Sequence, residues 1–127
     1  MLKKESTLFI TDNTNVKWVK IFHLYKGFFR KTTSENLFIK SSARVVEPPR
    51  IEYKGFKYKY KIKGDIVRVW ICRTKKPKFT KDQRYVRFWD NSGLCITKKT
   101  QLTSKYINGP FSKSTKNRKL ISLFKVV

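Results

Sequence analysis

Apolar and polar positions along this chain alternate with a period of two rather than 3.6. Phe56-Lys57-Tyr58-Lys59-Tyr60-Lys61-Ile62-Lys63 alternates for eight residues. As a strand, it puts four apolar groups on one face and Lys57, Lys59, Lys61 and Lys63 on the other. Ile66 to Arg73 reads as a second strand, with Val67, Val69 and Ile71 on one face and Arg68, Trp70 and Cys72 on the other. Tyr85 to Trp89 and Leu94 to Ile96 read as two more, joined across Asp90-Asn91-Ser92-Gly93, a strong turn signal. Thr7 to Ile10 and Val16 to Leu24 flank Asp12-Asn13-Thr14-Asn15, where an Asx-type turn is expected. Short β-rich runs with frequent turns predict a small barrel or sandwich.

Other segments are less regular. Pro48-Pro49 forbids helix just before it and interrupts any strand. Gly109-Pro110 and the Ser/Lys-rich stretch to Lys119 read as loop, while Leu120, Ile121 and Phe124 share a helical face and predict one short helix docking on the body. No internal repeat or long linker divides the chain. The expectation is one domain over residues 1–127, with 103–127 a loop and short-helix C-terminal extension.

Charge changes the picture. The 127 residues carry 31 Lys or Arg against 8 Asp or Glu, a formal net charge of +23. Self-repulsion at that density disfavours a compact state unless a large anionic partner is present. The charge is uneven, +5 over residues 1–49 and +18 over 50–127. With 39% hydrophobic and 15% aromatic residues, the chain is too apolar for a disordered basic tail. The phosphate backbone of a nucleic acid fits such a field, because each neutralised phosphate releases counterions. Contact with about eight phosphates would give a log–log salt slope near −7. Neither a basic amphipathic helix nor a lipidation signal points to a membrane surface, and no apolar run approaches the ~18 residues of a membrane helix.

Catalytic and metal chemistry find little support. The acids are scattered singly, and His23, in Ile21-Phe22-His23-Leu24, has no nucleophile motif beside it. Cys72 and Cys95 lie in apolar runs without a CxxC pair, so no zinc site is expected and both read as reduced core thiols. We expect no catalytic residue, no metal and no cofactor. The lysine row at Lys57, Lys59, Lys61 and Lys63 has charges about 6.6–6.8 Å apart, comparable to successive phosphates; an ordinary solvated strand face is the plainer alternative. Arg73, Lys75, Lys76 and Lys78 follow as a basic loop suited to entering folded RNA, then Arg84, Arg87, Lys98 and Lys99. Tyr85, Phe88 and Trp89 are candidates to stack on bases, although strand alternation sends about half of such aromatics to a core.

Read in order, three blocks are recognisable: Lys63-Gly64-Asp65-Ile66-Val67-Arg68, Ile71-Cys72-Arg73-Thr74-Lys75-Lys76, and Tyr85-Val86-Arg87-Phe88-Trp89-Asp90-Asn91. Together they resemble the central signature of ribosomal protein fourteen of the large subunit. Asp12-Asn13-Thr14-Asn15-Val16, Gly109-Pro110 and Leu120-Ile121-Ser122-Leu123 resemble other segments of that family in the same order. Departures fall at Asn15, where the family has glycine, at Trp70, where it has valine, at Trp89, and at Tyr106, in place of an arginine. A left-handed Asn15 would preserve the turn.

The resemblance implies a mainly β fold: a small closed five-stranded β-barrel with a protruding β-ribbon and short C-terminal helices. It also implies binding to large-subunit rRNA near the subunit interface and intersubunit bridges to small-subunit rRNA. Neighbouring large-subunit ribosomal proteins and a ribosome-silencing factor are the implied protein partners. The AT-rich codon set is heavily used: Phe, Tyr, Met, Ile, Asn and Lys number 56, against 18 for Gly, Ala, Arg and Pro. With no signal peptide or presequence recognisable at Met1-Leu2-Lys3-Lys4-Glu5, this points to an organelle-encoded protein of the mitochondrial matrix, with a plastid or AT-rich bacterial ribosome as the alternative. A free nucleic-acid-binding module and a small RNA-processing nuclease are the readings from other classes.

Overall fold

The computed structural model describes residues 1–48, 60–98, 101–104, 106–111 and 125–126. Five strands close into a barrel in the order β2 (Thr7–Ile10), β3 (Val16–Leu24), β5 (Phe38–Val46), β6 (Ile66–Arg73) and β9 (Ser92–Ile96). Neighbours are antiparallel except at the seam, where β2 runs parallel to β9 with Phe9 opposite Ser92 and Ile10 opposite Gly93. Closure removes both sheet edges, which would otherwise present unpaired backbone groups. Register shifts along β3 between Val16 and Trp18, Trp18 and Val19, and Ile21 and His23 supply the bends a small barrel needs.

The period-two pattern fills the interior. Leu8, Ile10, Val16, Val19, Ile21, Leu24, Ile39, Ala43, Val67, Val69, Ile71 and Cys95 form one buried cluster. Gly93 lies where β9 crosses this core; a Cβ there would collide with the Val69 side chain and crowd Leu8 and the Trp70 carbonyl. The predicted Asx turn is present, with the Thr14 amide donating to Asp12 Oδ1 over 3.0 Å.

A second core lies on the other side of the wall. Trp70, Cys72, Leu94 and Ile96 point out of the barrel, yet all are buried, because Phe38, Leu102, Ile107 and Phe111 cover them. The Trp70 ring meets Phe111 edge-on, with centroids 5.6 Å apart. The covering segment is held by β10 (Tyr106–Ile107), paired in parallel with β11 (Lys125–Val126), and by an Asp12–Ile107 bridge. Part of the expected C-terminal loop is therefore strand. The expected helix over Leu120, Ile121 and Phe124 lies outside the described residues, and among the described residues there is no helix.

Three further expectations are corrected. Tyr60 to Lys63 is loop and turn rather than strand, and Ile62 is exposed instead of facing inward; Phe56 to Lys59 lie outside the described residues. Tyr85 to Trp89 shortens to a two-residue strand, β8 (Tyr85–Val86), which pairs with β7 (Lys78–Phe79) and not with β9. Asn15 has no left-handed backbone. Its buried side chain instead donates to the carbonyls of Lys61 (2.7 Å) and Glu47 (3.3 Å), and Oδ1 accepts from the Lys61 amide. Asn15 thus ties together the two ends of the segment between residues 47 and 61.

Candidate nucleic-acid interface

The site begins where β6 leaves the barrel. The Thr74 amide and hydroxyl donate to the buried Glu35 carboxylate at 3.3 and 3.2 Å, and the Lys75 amide donates to Asn91 Oδ1 at 2.8 Å. These bonds fix the chain at the root of the β7–β8 hairpin. Its tip is closed by Thr80, whose amide and hydroxyl both donate to the Arg84 carbonyl, and by Gln83 in a left-handed conformation (φ 58°). Around this hairpin Lys75, Lys76, Lys78, Lys81, Arg84 and Arg87 are all exposed, with Asp82 the one acid between Lys75 and Arg87. Phe79 and Tyr85 are exposed opposite each other across it, and Trp89 is 92% exposed. Exposed rings among cations, on a two-stranded arm, match the physics of base stacking plus phosphate contact.

Apart from Asp82 on the arm, most acids are placed so that they do not oppose this field. Asp12 and Glu35 are buried. Glu5 pairs with Lys20, Glu47 with Lys17, and Asp90 with Arg73. Asp12 accepts from the Thr14 amide and hydroxyl and from the Cys95 amide (2.8 Å), but burial outweighs those bonds and pushes its carboxyl above the ordinary value. The same desolvation raises both buried thiols, Cys95 well up, and both cysteines are free.

Arg73 departs from the surface role expected of it. Its side chain is 5% exposed, and every edge of the guanidinium is engaged: Nε donates to Ser92 Oγ (2.7 Å), one terminal nitrogen to the Asn108 and Pro110 carbonyls (3.1 Å each), the other to Asp90 (3.0 Å). Gly109, with φ +90°, packs against that guanidinium so closely that a Cβ would clash. Arg73 therefore clamps the C-terminal segment onto the barrel, and its charge is committed to the protein. Of the other expected contacts, Lys75, Lys76, Lys78, Arg84 and Arg87 share the hairpin, Lys98 is exposed beyond β9, and Lys63 is exposed in the turn before β6. Lys61 is half-buried beside Asn15; Lys57, Lys59 and Lys99 lie outside the described residues. Sequence reasoning missed Phe79 and the adjacent pair Phe28 and Phe29. The signal for that pair was a double aromatic set between Lys26-Gly27 and Arg30-Lys31, outside any alternating run.

Among the described residues, no three His, Cys, Asp or Glu side chains come together as a metal site would require, and no helix is long and apolar enough to cross a membrane. The fold is a small closed five-stranded β-barrel with an appended basic, aromatic ribbon. The particular family follows from comparison with known families: the model for Ribosomal protein L14p/L23e matches residues 1–127, and the chain belongs to that family. It is a structural protein of the large ribosomal subunit that binds rRNA.

Proposed function

We propose that this chain is a constituent of an organellar, mitochondrial, large ribosomal subunit, in which the β7–β8 arm is the principal rRNA contact. The single observation carrying the arm's assignment is the separation of charge: of the seven acids in the described residues, two are buried, three are ion-paired and Asp65 caps the turn before β6, so that only Asp82 stands exposed among the arm's six exposed cations. Lys75, Lys76, Lys78, Arg84 and Arg87 contact phosphates there, Lys63 and Lys98 at the opposite end of β6 form a second contact, and Lys57, Lys59, Lys61 and Lys99 are assigned to phosphate contact from their sequence alone. Phosphate contacts of this kind position the protein more than they read sequence. Arg73 is left out because its donors are already engaged. The whole chain acts as one domain, and it reaches small-subunit rRNA through intersubunit bridges, neighbouring large-subunit proteins and a ribosome-silencing factor by surfaces beyond the arm.

Two features support the organelle: the AT-biased residue usage and departures from the family pattern at Asn15, Trp70 and Tyr106. Trp70 lies in the second core and Asn15 ties down a loop end, so these departures are built into the fold. Fractionation tests the placement. Co-sedimentation of the chain with mitochondrial large subunits, one copy per particle and stable to moderate salt, is the expected result. Recovery only in plastid or bacterial particles would refute the organelle, and substoichiometric, salt-labile association would refute the ribosomal role.

A further inference from the structure

Next to the arm, the loop between β3 and β4 (Thr32–Thr33) holds a combination that the phosphate contacts leave unused. At its tip Phe28 and Phe29 are 86% and 89% exposed, in an edge-to-face pair with centroids 5.4 Å apart. Two adjacent phenylalanines fully in water cost hydration free energy with nothing gained in the isolated fold. The loop is nevertheless well braced. Arg30 Nε donates to the Thr32 carbonyl (2.8 Å), and the Tyr25 ring packs edge-on to His23 with Lys40 Nζ 5.8 Å above it. Beside the tip opens a cavity of about 450 Å³ whose walls include Tyr25, Lys26, Arg30, Glu35, Asn36 and, from the arm, Lys78. That volume falls in the range of small-ligand sites.

Three properties of the cavity point the same way. Its wall carries two buried polar atoms with no hydrogen-bond partner, the Tyr25 hydroxyl and Asn36 Oδ1, although such atoms are ordinarily satisfied. Its rim holds Lys26 in a left-handed conformation (φ 71°), a strain that tends to mark ligand clamps, beside Asn36 (φ 65°), which adopts that region readily. Lys26 and Lys31 are exposed cations on either side of the aromatic pair. An apolar docking partner would satisfy the phenylalanines but neither the polar wall nor the cations.

We propose that this loop captures an unpaired nucleotide of RNA: the base stacks on Phe28 and Phe29, a neighbouring phosphate lies against Lys26 and Lys31, and the base or ribose edge reaches the polar cavity. Stacking and phosphate contact together distinguish single-stranded from fully paired RNA, because a base within a duplex has no free face. This inference rests on the rRNA-binding reading; the cavity adjoins the arm at Lys78, while the stacking pair Phe28 and Phe29 belongs to the β3–β4 loop.

The test uses the full chain with a short single-stranded RNA and a duplex of equal length, titrated at several salt concentrations. In the Phe28→Ala/Phe29→Ala variant, affinity for the single strand should fall about tenfold or more, duplex affinity should stay, and the salt slope should not change. Lys26→Gln should instead lower the single-strand slope by about 0.7. Both phenylalanines are exposed, and a thermal melt unchanged from the wild type checks that the variant folds. Unchanged single-strand affinity in the double variant would overturn the proposal and assign the pair to a protein neighbour; equal loss on single strand and duplex would overturn it as well. Failure of the wild type to bind either RNA would refute the rRNA reading itself, a separate outcome.

Discussion

The barrel wall and the β7–β8 arm use the same residue types in opposite ways. In the wall, three cations are answered by acids, Lys17 by Glu47, Lys20 by Glu5 and Arg73 by Asp90, while Lys40 lies over the Tyr25 ring and Arg68 donates to the Lys98 carbonyl. On the arm, six cations from Lys75 to Arg87 are exposed. Aromatics divide similarly, with Trp70 fully buried against Phe111 while Trp89 and Phe79 face solvent. Arg73 and Lys75, two residues apart, mark the boundary between the regimes. Charge inside the fold is organised for its own closure, and charge beyond that point is left for a partner.

The largest effect should come from the wall. Trp70→Ala empties the second core and should destabilise the fold by about 3–5 kcal/mol, seen as a lower urea midpoint. An arm-like response of under 0.5 kcal/mol would mean that the C-terminal cover contributes little. Arg73→Met comes next. It keeps much of the aliphatic bulk but strands the Ser92 hydroxyl and two carbonyls and leaves Asp90 unpaired, at an expected cost of about 2–3 kcal/mol after allowance for the partly exposed Asp90. Proteolysis should then open the segment around Gly109 before the barrel; simultaneous cleavage of both would deny the clamp.

The arm inverts this order. Lys75→Gln/Lys76→Gln/Arg84→Gln should change stability by no more than about 0.5 kcal/mol while lowering the RNA salt slope by about 2–3 units. Loss of stability without loss of slope would place these residues in the wall's regime.

The smallest effect concerns Asp12. Its folded value is raised above 3.8 mainly by burial, so the unfolded chain ionises first as pH rises. Native stability therefore falls through the window between the unfolded and folded values. Relative to Asp12→Asn, the wild type should lose stability as pH increases from about 3.8, and urea titrations at stepped pH would show it. A difference moving in the wild type's favour would mean that the three donated hydrogen bonds outweigh desolvation.

Local patterns foretold much of the barrel. Val16 to Leu24 and Ile66 to Arg73 alternate strongly enough to declare strands, and Asp12 with Thr14 declares its own turn. The second core was hidden, because Trp70 and Cys72 sit on the face that alternation assigns to the outside, and their cover arrives from Leu102, Ile107 and Phe111. Only tertiary contact makes that face buried. Arg73 misled for the same reason, since its partners lie 17 to 37 residues further along the chain. Between Tyr60 and Lys63 the pattern overreached: these residues follow the side-chain clamp of Asn15 and the turn at Gly64, not a ladder. Two of the three family blocks meet at the root of the arm, where Thr74 is bonded to Glu35 and Lys75 to Asn91.

The central claim is that arm cations, and not wall cations, face large-subunit rRNA. Salt-dependent binding of that rRNA should be measured for two variants that remove equal charge, Lys75→Gln/Lys76→Gln on the arm and Lys17→Gln/Lys20→Gln on the wall. The account predicts a slope reduced by about two units for the arm variant and unchanged for the wall variant. Equal slopes in the two, or a reduction confined to the wall variant, would contradict it.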